Sequence, residues 1–280
     1  FLLSKAARAA YESNPRIEGL LLLKHGIFTF GSSAKESYDR MIDAVSQAER
    51  FIEKSKRPLK PFNPAALTIT LTPHLSALRG LLGRHGRMPI LHTRCTPDIA
   101  AFVNGPHLLA HSQIGPATPD HVIRTKPLPL VLSAPSTHAS MDAWIGDSAQ
   151  RLQTYINDYT RYFAQACAAH HTQKIMLDPL PRIILIPEIG MVSAAGSESA
   201  SIVAADVYEH SIGIISDAFL VGTYEPLDSL ALFEMEYWSL EQAKLRSIVE
   251  KPLGRKIVLV TGAASGIGLG CAERFALDGS

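Results

Sequence analysis

A chain of 280 residues holds one or two domains. Its apolar fraction of 46%, charged fraction of 19% and net charge of +1 fit a globular protein with a sizeable core and exclude a surface that grips nucleic acid by bulk electrostatics. No apolar run approaches the roughly 18 residues needed to span a bilayer, so neither nucleic acid nor membrane is expected as a partner.

From the N-terminus, residues 1–12 read as the end of a helix stopped by Asn14-Pro15. Two strand-length apolar runs, 20–23 and 27–30, are separated by Lys24-His25-Gly26. An imidazole between two such halves needs a partner. From the residues alone, His25 is either a satisfied structural histidine or a ligand. Ser33 and Glu36 stand at capping-box spacing, opening a helix to about residue 56. Its Tyr38, Met41, Ile42, Val45, Ala48 and Ile52 recur at helical spacing and are expected to be core. The proline-rich residues 57–64 read as an interdomain linker.

A second domain is expected to follow, with a helix near 75–82, a strand at 89–93, a helix at 97–103 and a long helix over 141–170. Tyr155, Tyr159, Tyr162 and Phe163 on that last helix read as packing. Between these elements, Thr118-Pro119-Asp120-His121-Val122-Ile123-Arg124-Thr125-Lys126 gathers basic groups in a loop-like setting. Arg124 and Lys126 either bind a phosphate or carboxylate or belong to a solvated loop with one salt bridge. His107 and His111 have the i,i+4 spacing of two metal ligands, but without a carboxylate motif they are not read as a metal site. Residues 180–196 echo residues 14–31: both run Pro-Arg-Ile, apolar strand, Gly, short strand, Gly, then a long helix. In that echo the place of His25 falls on Glu188 or Ile189. A further helix over 234–245 is expected to take Ser239 as its N-cap and to keep its charges in solvent, with Tyr237 and Trp238 docking it.

Lys256-Ile257-Val258-Leu259-Val260-Thr261 then reads as a buried strand, Gly262-Ala263-Ala264-Ser265-Gly266-Ile267-Gly268 as a glycine turn, and 269–278 as a helix. Such a turn lets backbone N–H groups approach a pyrophosphate at a positive helix N-terminus. Cys95, Cys167 and Cys271 are odd in number, widely spaced and without a CxxC pair, which reads as reduced thiols in a cytoplasmic protein.

The strand and turn resemble the opening of a short-chain dehydrogenase/reductase, which implies a Rossmann domain binding NAD or NADP through Gly262, Ser265, Gly266, Ile267 and Gly268. Ser265 is uncharged and offers a 2′-phosphate no cation, which tilts the expectation to NAD. Leu20 to Gly31, with Glu36, Tyr38 and Arg40 after it, resembles the last third of a class II aldolase/adducin-head domain. In aldolases of that family the histidine of the His-Gly pair is one of three imidazoles on a catalytic zinc, which casts His25 as a metal ligand. The chain holds neither the family's earlier His-x-His and acidic residue nor the catalytic Ser, Tyr and Lys of the dehydrogenase, so no catalytic residue is assigned to it. With Phe1-Leu2-Leu3-Ser4 at one end and Ser280 at the other, it is expected to be an inactive excerpt of a longer protein.

The expected fold is α/β: the end of a class II aldolase/adducin-like domain over 1–57, a middle α/β domain over 58–250, readable as a degenerate aldolase-like repeat, and the first βα unit of a Rossmann domain over 251–280. In this order the pieces resemble the bifunctional aldolase/short-chain dehydrogenases of the rhamnulose-1-phosphate aldolase/alcohol dehydrogenase type. The resemblance implies zinc-assisted cleavage of a ketose 1-phosphate to dihydroxyacetone phosphate and lactaldehyde, then oxidation of the aldehyde with NAD. Sugar phosphate and aldehyde substrates and a homo-oligomer are expected. The alternative is a short-chain dehydrogenase whose aldolase/adducin-like part is a non-catalytic scaffold.

Overall fold

The computed structural model describes residues 2–24, 26–55, 71–86, 88–246 and 250–280; the linker expected over 57–64 lies outside them. The chain divides into two units, Phe1–Leu59 with Asp217–Glu225, and Lys60–Ser216 with Pro226–Ser280.

In the first unit α1 (Leu2–Ser13) precedes a hairpin of β1 (Gly19–Leu22) and β2 (Gly26–Thr29), followed by α2 (Ala34–Ser55). The hairpin is antiparallel, from Gly19 opposite Thr29 to Leu22 opposite Gly26. The start of α2 is capped as its spacing predicts: the Glu36 amide donates to Ser33 Oγ at 3.2 Å. The Glu36 carboxylate, however, reaches the amide of Ser32 at 2.7 Å rather than that of Ser33. The apolar face of α2 departs from expectation. Tyr38, Ile42 and Val45 are 65%, 46% and 41% exposed, and α2 buries no residue fully. The hairpin meets α2 through polar groups instead: Thr29 Oγ1 donates to the Ser37 carbonyl and Arg40 to the Phe30 carbonyl. Periodicity tells which face is apolar, not what covers it.

The second unit is built on a four-stranded sheet in the order β3 (Ile90–Arg94), β6 (Gly190–Ala195), β5 (Ile183–Ile186), β4 (Leu130–Val131). Only the β4–β5 pair is parallel. All of β5 is buried, as expected of a strand covered on both faces. Ile184, Ile186, Val192 and Ala194 pack with Leu78 and Leu82 of α3 (Leu71–Gly83) and Trp144 and Leu152 of α7 (Met141–Ala169). The alternate residues point the other way. Ser193 Oγ donates to the Ser201 carbonyl at 2.7 Å, in α8 (Glu198–Val221), and Arg94 pairs with Asp206 and Glu209 of the same helix at 2.6 and 2.7 Å. The sheet therefore lies between α3 and α7 on one side and α8 on the other. Three short helices, α4 (Pro97–Val103), α5 (Leu108–Ser112) and α6 (Val122–Thr125), link β3 to β4.

Two expectations near the C-terminal end are corrected. The helix over 234–245 is two: α9 (Ser229–Glu236), capped by Asp228, and α10 (Ser239–Arg246). Tyr237 between them is buried, but Trp238 is 47% exposed and does not dock the helix. Residues 256–260, read as a buried strand, pair with no strand among the described residues, and Ile257 and Leu259 are 75% and 90% exposed. A strand's hydrogen bonds belong to its neighbours, and a β-branched run without one stays single. The helix beyond, α11 (Gly266–Leu277), begins three residues earlier than expected.

Candidate functional site

The glycine turn is shaped by positions that only glycine fills without strain. Gly262 and Gly266 have φ of +68° and +57°, in the left-handed region. At Gly268 the conformation is ordinary, but a Cβ would lie 2.3 Å from the Gly262 carbonyl oxygen, backbone against backbone. The first turn of α11 is thereby pressed onto the loop that precedes it. Ser265 is the N-cap, with φ −160° and ψ 170°, and its side chain makes no capping hydrogen bond. The Ser265 side chain thus caps none of the first amides of α11, and Ile267 is 88% exposed beside them. Helix N-terminal N–H groups left uncapped by Ser265, beside a Gly268 that has no room for a Cβ, fit a pyrophosphate. The structure brings all five residues expected to bind the dinucleotide into this one turn.

His25, the expected metal ligand, lies outside the described residues. Among the described residues no group of three or more His, Cys, Asp or Glu side chains is arranged to hold a metal ion. His107 and His111 stack with ring centroids 5.2 Å apart. Burial, and then the neighbouring His107, lowers the His111 pKa.

Arg124 and Lys126, read together in the sequence, are sent to different places. Arg124 lines a cavity of about 460 Å³ beside Arg182 and Arg255. Lys126, the C-cap of α6 at φ +67°, is 4% exposed and turned into the core. Its Nζ lies 3.5 Å from Glu236 Oε1 and 3.8 Å from the centre of the Tyr159 ring. Tyr159 donates its hydroxyl to the same carboxylate oxygen at 2.8 Å and lies 2.8 Å from the Tyr237 hydroxyl. The Leu177 amide donates to Tyr237 at 3.2 Å. Burial pulls the Lys126 ammonium down to about 8 although Glu236 works the other way, and burial likewise pushes the Glu236 carboxyl up. Glu236 and Glu241 are 0% and 5% exposed, so the solvated face expected for this segment is corrected as well. The ring packing expected along α7 holds for Tyr162 and Phe163, which pack against Phe233 and Tyr237.

Position by position, the hairpin β5–β6 repeats β1–β2. In each, three residues join strands whose last pair is aliphatic opposite glycine, Leu22 with Gly26 and Ile186 with Gly190. Lys24 and Gly26 have φ of +62° and +155°, Glu188 and Gly190 +72° and +110°. Ile189, immediately before its glycine as His25 is before Gly26, is 4% exposed and part of the core. Glu188 accepts from the Ser136 amide at 3.0 Å and from the Ser136 hydroxyl.

A family model, aldolase class II, second domain, matches residues 70–245. Over 291 aligned residues the chain is 30% identical to a Bacillus subtilis (strain 168) protein named uncharacterized oxidoreductase YuxG, a match covering 100% of this chain and 41% of that protein. The chain therefore spans about two fifths of that relative's length. No solved structure matches it.

Proposed function

The chain belongs to the family of the class II aldolase second domain, and from that premise we propose that it is part of a bifunctional enzyme that cleaves a ketose 1-phosphate and oxidises the aldehyde released. The observation that carries the reading is the glycine turn at 262–268, with its left-handed Gly262 and Gly266 and its close Gly262–Gly268 contact, on the same chain as an aldolase-family domain. Similarity to a protein named an oxidoreductase over the whole chain supports it.

A bound NAD would supply the hydride acceptor. The chain's own part is to hold its pyrophosphate: Gly262, Gly266 and Gly268 keep side chains out of the way, the first amides of α11 donate, and the Ser265 hydroxyl is not engaged as a cap. In this proposal the sugar is rhamnulose 1-phosphate, the aldehyde lactaldehyde, and oxidation of the aldehyde draws a reversible cleavage forward. The parent is a homo-oligomer working in the cytoplasm. Zinc polarises the ketose carbonyl when bound. We propose His25 as one of its imidazole ligands.

The test uses the full-length parent and a Gly268→Ala variant, whose new methyl would meet the Gly262 carbonyl oxygen. NAD affinity is expected to fall at least about tenfold with aldol cleavage intact, the loss of roughly one hydrogen bond to a charged group. Unchanged NAD binding overturns the reading. A second reading, an aldolase-like scaffold serving a dehydrogenase, is favoured by the buried Ile189 at the repeat's histidine position. Stoichiometric zinc in the parent that disappears in His25→Ala rejects the scaffold; absence of zinc from both supports it.

A further inference from the structure

We infer that the second unit carries a separate site for a phosphate monoester, in the cavity lined by Arg124, Arg182 and Arg255. The cavity encloses about 460 Å³, at the small end of the roughly 300–1,000 Å³ usual for metabolite sites. Its three guanidinium groups come from three separate segments: α6, the residues before β5, and the stretch joining α10 to the glycine turn. Two have a protein partner, Arg182 with Asp178 and Arg255 with Glu250, each at 2.9 Å. Arg124 has neither an ion pair nor a hydrogen bond among the described residues, although it is half-buried. A partly desolvated guanidinium without a partner, facing a cavity, is a donor fork awaiting an acceptor.

Charge selects the class of ligand. Lys251 also lines the cavity, so the four cations exceed the carboxylates of Asp178 and Glu250 by two charges. A phosphate monoester carries about −1.5 to −2 at pH 7, a carboxylate half that. The backbone is shaped to the same end: a Cβ at Gly196 would lie 3.0 Å from Arg255 Nη2, so the bare glycine lets that guanidinium lie along the chain just before α8. Leu82, Ile123 and Ala204 form an apolar wall for a short carbon skeleton. The site draws on none of the residues of the glycine turn and does not depend on the dinucleotide reading.

Inorganic phosphate, glycerol 3-phosphate and acetate titrated calorimetrically into the chain test this. One saturable site per chain is expected for the ester and none for acetate. Arg124→Gln should weaken ester binding at least about tenfold, the weight of one charge-assisted hydrogen bond, whereas Arg161→Gln, on the exposed face of α7, should leave it unchanged. Binding of inorganic phosphate as tightly as the ester would show that the phosphate group alone is recognised, which the site's chemistry allows. Ester binding undiminished in Arg124→Gln, or no saturable binding to the parent chain, overturns the assignment. Should Arg124→Gln fail to fold, hydrogen exchange on the parent decides: the ester must protect amides of 123–126 and 194–197, and no protection there also overturns it.

Discussion

At the residue scale, the dominant feature is an ion pair sealed in the core. Lys126 and Glu236 are 4% and 0% exposed along their side chains, so each charge gives up its hydration for one carboxylate–ammonium contact, a ring face and a tyrosine hydroxyl. Removing one partner leaves the other charged and buried. Lys126→Met is therefore expected to cost about 3–5 kcal/mol in urea unfolding. Glu236→Gln, which keeps an acceptor for Tyr159, should cost less, and the double variant less than the sum of the two. The pH dependence has a definite sign. Lys126 titrates near 8 in the folded chain against an ordinary 10.5, so below pH 8 it disfavours the folded state. That penalty lifts as pH rises from 8, by about 2 kcal/mol at most before pH 10. Beyond pH 10 the buried phenols of Tyr155 and Tyr159, raised chiefly by burial, stay protonated only in the folded chain, and stability falls again. Unfolding followed from pH 7 to 10 should show the rise in the parent chain and its loss in Lys126→Met.

At the scale of elements, the two hairpins show what sequence makes legible. Glycines at Gly26 and Gly190 mark turns that need positive φ, and both were readable from their spacing in the echo. Their surroundings were not. A Cβ at Gly190 would lie 2.8 Å from the Arg94 carbonyl and 2.9 Å from Cys95 Cβ, whereas at Gly26 it would meet nothing within 4 Å. Gly190→Ala should thus cost more than the roughly 1–2 kcal/mol of backbone strain and lower Tm further than Gly26→Ala, a comparison thermal unfolding makes directly. Long helices and the cap of α2 are also legible, because their signals are local: Ser33 accepts from the Glu36 amide at 3.2 Å. The signal for α9 is equally local, Asp228 accepting from the amides of Leu230 and Ala231, although it competes with the later Ser239. Illegible were the features set by distant partners. Glu236 reads as a surface charge until Lys126, 110 positions away, is seen beside it. Of the candidate sites, the glycine turn is written in contiguous residues, whereas the arginine cavity assembles from three segments far apart in the chain.

At the scale of the second unit as a whole, stability is unevenly laid out. The centre of the sheet between α3, α7 and α8 is buried, with Ile183 to Ile186 at 0% exposure and β5 bonded to a strand on either side. The approach to the glycine turn is pinned at discrete points: Arg79 donates to the Arg255 carbonyl at 2.8 Å, the Leu253 amide to Asp278 at 3.0 Å, and the Lys256 amide to Leu253 at 3.0 Å. Immediately after these anchors, residues 257–260 make no backbone hydrogen bond among the described residues, while Ile257 and Leu259 face solvent. Local opening free energy follows bonding and burial rather than apolar content. Native-state hydrogen exchange should therefore find the amides of Ile184 and Leu185 opening only with the whole unit, those of Leu253 and Lys256 measurably protected, and those of 257–260 exchanging as in a free peptide. Arg79→Ala should release the protection at 253–256 and leave β5 untouched. Protected amides throughout 257–260 would mean that this run already sits in a paired strand, and the order of stabilities deduced from the anchors would fail.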